Sequence, residues 1–125
     1  MGIKVTGTVC RGNKIGRVLG YPTANIVAPG GLDICNGVYT AYVEVNGRRY
    51  NAMAYLGVKP TVSGENVRIL EANIFDFDRE IYDLDITVEL LDFIRSEERF
   101  TSLDHLKAQL GRDKKAIMEL LSACR

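Results

Sequence analysis

Apolar and polar positions alternate most regularly between Gly37 and Asn46. Tyr39, Ala41, Val43 and Val45 fall on one face of that stretch, with Thr40, Glu44 and Asn46 opposite. A period of two predicts a strand. Asn46-Gly47 then predicts a tight hairpin turn, with Arg49 to Leu56 returning as the partner. Lys4 to Cys10 is short and rich in β-branched residues, Val67 to Phe77 is a long apolar-rich stretch, and Ile86, Val88 and Leu90 keep phase within Ile86 to Ile94. Each predicts a further strand. Beyond these the period changes. Leu103, Leu106 and Leu110 recur at helical spacing, with Thr101 or Ser102 available as a cap and Gly111 as a stop. Asp113 predicts the start of a second helix, with Ile117, Leu120 and Leu121 on one face. Consecutive strands followed by helix predict an antiparallel barrel or sandwich with helix packed at one end. A length of 125 residues suits a single domain, 1–125, able to bury a core without staples.

Charge narrows the function classes. Lys plus Arg number 16, as do Asp plus Glu, so the net charge is zero and bulk attraction to nucleic acid or membrane is not expected. Cys10, Cys35 and Cys124 are odd in number and form no C-x-x-C, which argues against a disulfide framework or a zinc site and suits a reducing compartment. The one histidine, His105, lies in the helical segment, so histidine metal sites and Ser-His-Asp chemistry lose their support. Met1 to Lys4 carries no apolar leader core, and no run of about 18 apolar residues could cross a bilayer. The expected location is cytoplasmic.

The densest chemical signal runs from Gly7 to Asn25. Gly12, Gly16 and Gly20 permit close backbone approach, and such a loop can aim N–H groups at phosphate oxygens, with Lys14 and Arg17 adding positive charge. The spacing matches neither a Walker A loop nor a dinucleotide fingerprint. Pro22 fixes its own φ and pushes Tyr21 towards an extended conformation. In an extended chain Thr23 and Asn25 point to one side and offer two hard oxygen donors suited to Mg²⁺ already carried by nucleotide phosphates. The simpler alternatives are an ordinary glycine turn and a Thr and an Asn bonded to local backbone.

The run Gly12-x-x-x-Gly16-Arg17-x-Leu19-Gly20-Tyr21-Pro22-Thr23-Ala24-Asn25 resembles the signature of the riboflavin kinase family, which includes the C-terminal module of bifunctional bacterial FAD synthetases. Later segments match in order: Asn36-Gly37-Val38-Tyr39, Leu56-Gly57-Val58-Lys59-Pro60-Thr61, Glu71-Ala72-Asn73-Ile74-Phe75, and Phe93-Ile94-Arg95-Ser96-Glu97-Glu98-Arg99-Phe100. Two positions depart from the family pattern: Asn73 stands where it usually has His, and Asp83 where it usually has Gly.

The resemblance implies a mainly β fold, a six-stranded antiparallel Greek-key barrel with a C-terminal α-helix. It implies transfer of the ATP γ-phosphate to the riboflavin 5′-hydroxyl, giving FMN and ADP. Glu71 would be the general base. Thr23 and Asn25 would ligate Mg²⁺ brought in as Mg-ATP, and Gly12, Lys14, Gly16, Arg17 and Pro22 would form the nucleotide loop. Arg95 lies on the segment that closes over the flavin, where it either contacts the flavin or pairs with Glu97 or Glu98. No segment resembles the adenylyltransferase half of FAD synthetase, so FMN synthesis without FAD synthesis is expected. An N-terminal FMN adenylyltransferase domain, absent from these 125 residues, is the macromolecular partner the resemblance suggests. Two other readings compete. One is a flavin- or nucleotide-binding barrel without turnover, which Asn73 would favour. The other is a single-stranded nucleic-acid barrel using Tyr39, Tyr42, Tyr50 and Tyr55 beside Arg48 and Arg49.

Overall fold

The computed structural model describes residues 2–10, 23–60, 63–77 and 79–123. Six strands form one antiparallel sheet: β1 (Ile3–Thr8), β2 (Ala24–Val27), β3 (Gly37–Val45), β4 (Arg48–Pro60), β5 (Asn66–Ile74) and β6 (Asp85–Arg95), followed by helix α1 (Leu103–Ala123). The spatial order is β1-β6-β3-β4-β5-β2. Strands β3, β4 and β5 form a meander, and β6 returns to lie beside β3, which is the Greek-key order. A bridge between Cys10 and Asn25 brings the two edges of the sheet together and makes a nearly closed barrel. There the Asn25 carbonyl accepts both the Cys10 N–H, at 2.8 Å, and the Cys10 thiol, at 3.3 Å.

The alternation in β3 sends Tyr39, Ala41, Val43 and Val45 into the barrel, where they meet Val5, Ile26, Leu56, Leu70, Ile86, Val88 and Leu90. The turn at Asn46-Gly47 has φ of 51° and 80°, the left-handed pair that a two-residue hairpin needs. Polarity alone does not describe the opposite face. Val38, Met53 and Phe75 lie there, and α1 covers them with Ile117 and Leu121. Thr40 is fully buried on that side and accepts the Asp92 N–H at 2.8 Å. Burying six or so large apolar side chains at about 1.5–3 kcal/mol each fixes the helix far more firmly than helix propensity could.

The structure corrects the expected helical break. A single helix runs from Leu103 to Ala123, straight through Gly111. An interior glycine costs a helix about 1 kcal/mol, which the packing of Leu110, Ile117 and Leu121 outweighs. Asp113 is not a cap. It is 2% exposed and takes three hydrogen bonds from Arg95, at 2.9–3.1 Å, and one from Gln109 at 2.8 Å. Ser102 is the cap and accepts the His105 N–H at 3.2 Å. Leu120 and Leu103 are exposed, so neither belongs to the apolar face. Among the described residues no helix is long and apolar enough to cross a membrane.

Candidate active site

Strand parity decides which side chains meet. On β5, Leu70, Ala72 and Ile74 point into the barrel, so Glu71 and Asn73 face outwards with Phe75 beyond them. Glu71 pairs in register with Asn25 of β2 on one side and Tyr55 of β4 on the other. Residues opposite one another in a ladder share a face. Asn25, Glu71 and Tyr55 therefore form a row across three strands, and Asn25 is buried. Thr23, one residue before β2, directs its hydroxyl at Glu71 Oε2 at 3.5 Å. Lys59, four residues beyond Tyr55 on the same face of β4, sets its ammonium against Glu71 Oε1. Burial pushes the Lys59 pKa below its ordinary value.

Glycine matters at two places around this row. A Cβ on Gly57 would lie 2.3 Å from Tyr55 Oη and 2.6 Å from its ring carbons, so the phenol folds over a position that must stay bare. Gly37 has φ of 149°, and a Cβ there would meet the Arg95 carbonyl at 2.4 Å. The folded-over phenol of Tyr55 donates to Glu97 Oε1, which ties the segment after β6 to the strand carrying Lys59. Burial, then the hydrogen bond to Glu97 and its charge, raise the Tyr55 pKa well above the usual phenol value.

The same segment is held from below by Arg95. Its guanidinium forks onto Asp113, donates to the Ser96 carbonyl at 3.2 Å, stands 3.9 Å from Glu98, and lies 5.8 Å from the Phe100 ring centre. Of the carboxylates expected to pair with Arg95, Glu98 is a distant contact, and the main partner is one not expected, Asp113, eighteen positions further along the chain. Glu97 is taken by Tyr55. A cleft of about 260 Å³ opens between this segment and the start of α1, lined by Glu98, Arg99, Phe100, Thr101, His105 and Arg112. A second, of about 130 Å³, lies at the barrel end beside Thr23, bounded by Val9, Ala72, Phe77, Ile81 and Tyr82.

Gly12, Lys14, Gly16, Arg17 and Pro22 lie outside the described residues. Thr23, Asn25 and Glu71 are described, and they come together. Asp83 adopts φ of 68° and donates its N–H to the Val9 carbonyl at 2.9 Å. That left-handed backbone explains a glycine preference at this position, and Asp is among the residues that tolerate it. Asn73 is buried on the same face as Glu71. The sequence assigns no role to Lys59, and Tyr55 enters only as one of the tyrosines of the nucleic-acid reading. The period of two puts 55, 57 and 59 on one face, but the pairing of β4 with β5 that sets them beside Glu71 has no local signal.

The donor set bears on a metal. Among the described residues no three His, Cys, Asp or Glu side chains could cage an ion. A neutral hydroxyl and a neutral amide next to one carboxylate fit a divalent cation that arrives already held by phosphates. The tyrosines do not form a common stacking platform. Tyr39 is in the barrel interior, Tyr50 packs edge-to-face on Phe77 at 5.0 Å, and Tyr42 lies under Arg49 at 4.2 Å.

The fold is a Greek-key barrel with one covering helix, and a carboxylate, hydroxyl and ammonium gather on its outer face. The chain belongs to the riboflavin kinase family, whose model matches residues 2–121. It is 39% identical over 111 residues to the bifunctional riboflavin kinase/FMN adenylyltransferase of Haemophilus influenzae, covering 88% of this chain and 36% of that protein. It is 43% identical over 110 residues to the RNA-binding riboflavin kinase RibR of Bacillus subtilis, covering 87% and 47% respectively. The chain thus spans between about a third and a half of these relatives' length. A crystal structure described as a macrolide-efflux protein from Streptococcus pneumoniae superposes with a TM-score of 0.83 at 38% identity, over 94% of this chain and 38% of that one.

Proposed function

We propose that this chain is a riboflavin kinase acting in the cytoplasm, moving the γ-phosphoryl group of ATP to the 5′-hydroxyl of riboflavin to give FMN and ADP. The observation that carries this is the row Asn25–Glu71–Tyr55 with the Thr23 hydroxyl on the same carboxylate. Glu71 accepts the proton of the 5′-hydroxyl as that oxygen bonds to the γ-phosphorus and the bond from phosphorus to the ADP oxygen breaks. Such a base contributes about 10²–10⁴-fold in rate. Little covalent help is needed, so most of the acceleration comes from alignment and charge. Thr23 and Asn25 would hold Mg²⁺, and Gly12, Lys14, Gly16, Arg17 and Pro22 would serve the nucleotide phosphates. When bound, the cation neutralises phosphate charge. Arg95 acts on the flavin side through the segment it anchors, and Glu98 to Thr101 border the vitamin.

The test is incubation with riboflavin and Mg-ATP followed by chromatography for FMN. Glu71→Gln should retain nucleotide and flavin binding and lower turnover by about 10²-fold or more. Normal turnover in that variant would remove Glu71 from the role. Binding of both ligands by the unaltered chain with no FMN formed would favour the barrel without turnover.

A further inference from the structure

We infer that Lys59 is a further catalytic residue, whose ammonium bridges Glu71 and the transferred phosphoryl group. The inference rests on the reading of Glu71 as the base. The Lys59 ammonium lies against Glu71 Oε1, on a carboxylate whose other oxygen faces Thr23. The pair is a poor stabilising device taken alone. The Lys59 side chain keeps 34% of its surface, so water screens the pair and limits what it adds to stability. It also opposes the base, since a carboxylate held by a lysine accepts a proton less readily.

Both difficulties disappear if the resting partner is not the working one. An ammonium has three donors, and the ion pair with Glu71 Oε1 does not engage all of them. The attacking hydroxyl must lie between Glu71 and the γ-phosphorus, so a cation touching Glu71 is within a side chain's reach of the phosphoryl oxygens. Those oxygens carry the charge that a fixed cation stabilises in the transition state. The groups facing Glu71 from the neighbouring strands fit this assignment. Thr23 and Asn25 are neutral, and the Tyr55 phenol is taken by Glu97, so Lys59 is the cation paired with Glu71 among the described residues. Half-burial disfavours its charge, which makes a second anion welcome.

During transfer the 5′-oxygen loses its proton to Glu71 and bonds to phosphorus, and the departing bridging oxygen leaves with ADP. Lys59 exchanges no proton and forms no covalent bond. It moves part of its contact from the carboxylate to the phosphoryl oxygens as Glu71 becomes neutral.

The experiment compares Lys59→Met, Lys59→Gln and Lys59→Arg with the unaltered chain. Two quantities are read: steady-state FMN formation, and calorimetric affinity for Mg-ADP against the β,γ-imido analogue of Mg-ATP. Lys59→Met should lower kcat by about 10²-fold with KM for riboflavin held within about twofold. It should weaken the analogue about tenfold more than ADP, because only the analogue has the third phosphoryl group. Lys59→Arg should recover most of that preference, since it restores the charge. An unchanged kcat, or an equal loss for ADP and analogue, overturns the assignment. If Lys59→Met loses its folded circular-dichroism spectrum, Lys59→Gln against Lys59→Arg reads the same two quantities. An unaltered chain that makes no FMN would end the kinase reading, and the nucleotide comparison would still decide whether Lys59 meets a third phosphoryl group.

Discussion

Tyr55 combines three constraints at one position: a bare Gly57 beneath its ring, a carboxylate partner in Glu97, and Glu71 opposite it on β5. Its raised pKa means that the folded state holds the phenolic proton more tightly than the unfolded chain does. The associated stability is therefore fully present below the unfolded phenol value of about 10 and is lost as pH rises through the higher folded value. Urea midpoints of the unaltered chain should fall between pH 9 and pH 11 by more than those of Tyr55→Phe. Parallel curves would show that neither the burial of the Tyr55 phenol nor its bond to Glu97 carries such linkage. None of this was legible from the residue itself. Tyr55 is one of several tyrosines in a strand-like run, and sequence reasoning weighed it as a stacking surface. That Glu71 needs a use or a partner was legible from its place inside Ile69-Leu70-Glu71-Ala72, and Lys59 and Thr23 meet it there.

Strands were easier to read than their ends, and the helix was harder still. Period two and Asn46-Gly47 located β3 and β4, since both signals are local. Strand β4 nevertheless runs on to Pro60, because β5 pairs with it as far as Asn66, and that pairing is not local. The four residues of β2 were read only as an extended stretch, too short to show a period. Gly111 and Asp113 looked like punctuation because a single sequence does not show that Arg95 awaits Asp113 from the end of β6. That pair should be worth more than a surface bridge, since Asp113 is 2% exposed and Arg95 only 20%. Asp113→Ala leaves a half-buried guanidinium without its counter-ion and should lower stability by about 3 kcal/mol or more in urea titration. Arg95→Met combined with Asp113→Leu should recover part of that loss. A double variant no better than the single one would mean that the pair's shape, not its charge, anchors α1.

At the scale of the molecule, the barrel interior and the helix-covered face are two cores on either side of one sheet, and the site row lies on the outer side near the edge of the covered face. A barrel whose site binds Mg-nucleotide only when folded is stabilised by it through mass action. Mg-ADP at about 100 times its Kd should add about 2.7 kcal/mol, read as a higher urea midpoint. Chelation of the metal should remove that gain and Thr23→Ala should reduce it. A gain that survives both would separate nucleotide binding from the oxygen pair. The order of strands then helix left barrel or sandwich open, and the resemblance implied the barrel that the fold shows. The order alone carries no signal for closure, which among the described residues is made by the Asn25 carbonyl and its two donors from Cys10.

That seam has a kinetic corollary. The residue whose main chain seals the cylinder, Asn25, is also the residue whose side chain shares a face with Glu71. The β2–β5 ladder sets Asn25 beside Glu71 independently of Cys10, so closing the hoop and placing that side chain are separable steps for a refolding molecule. A chain still unzipped at Cys10 keeps the Asn25–Glu71 register, and the last rung adds the two bonds that Cys10 donates to the Asn25 carbonyl.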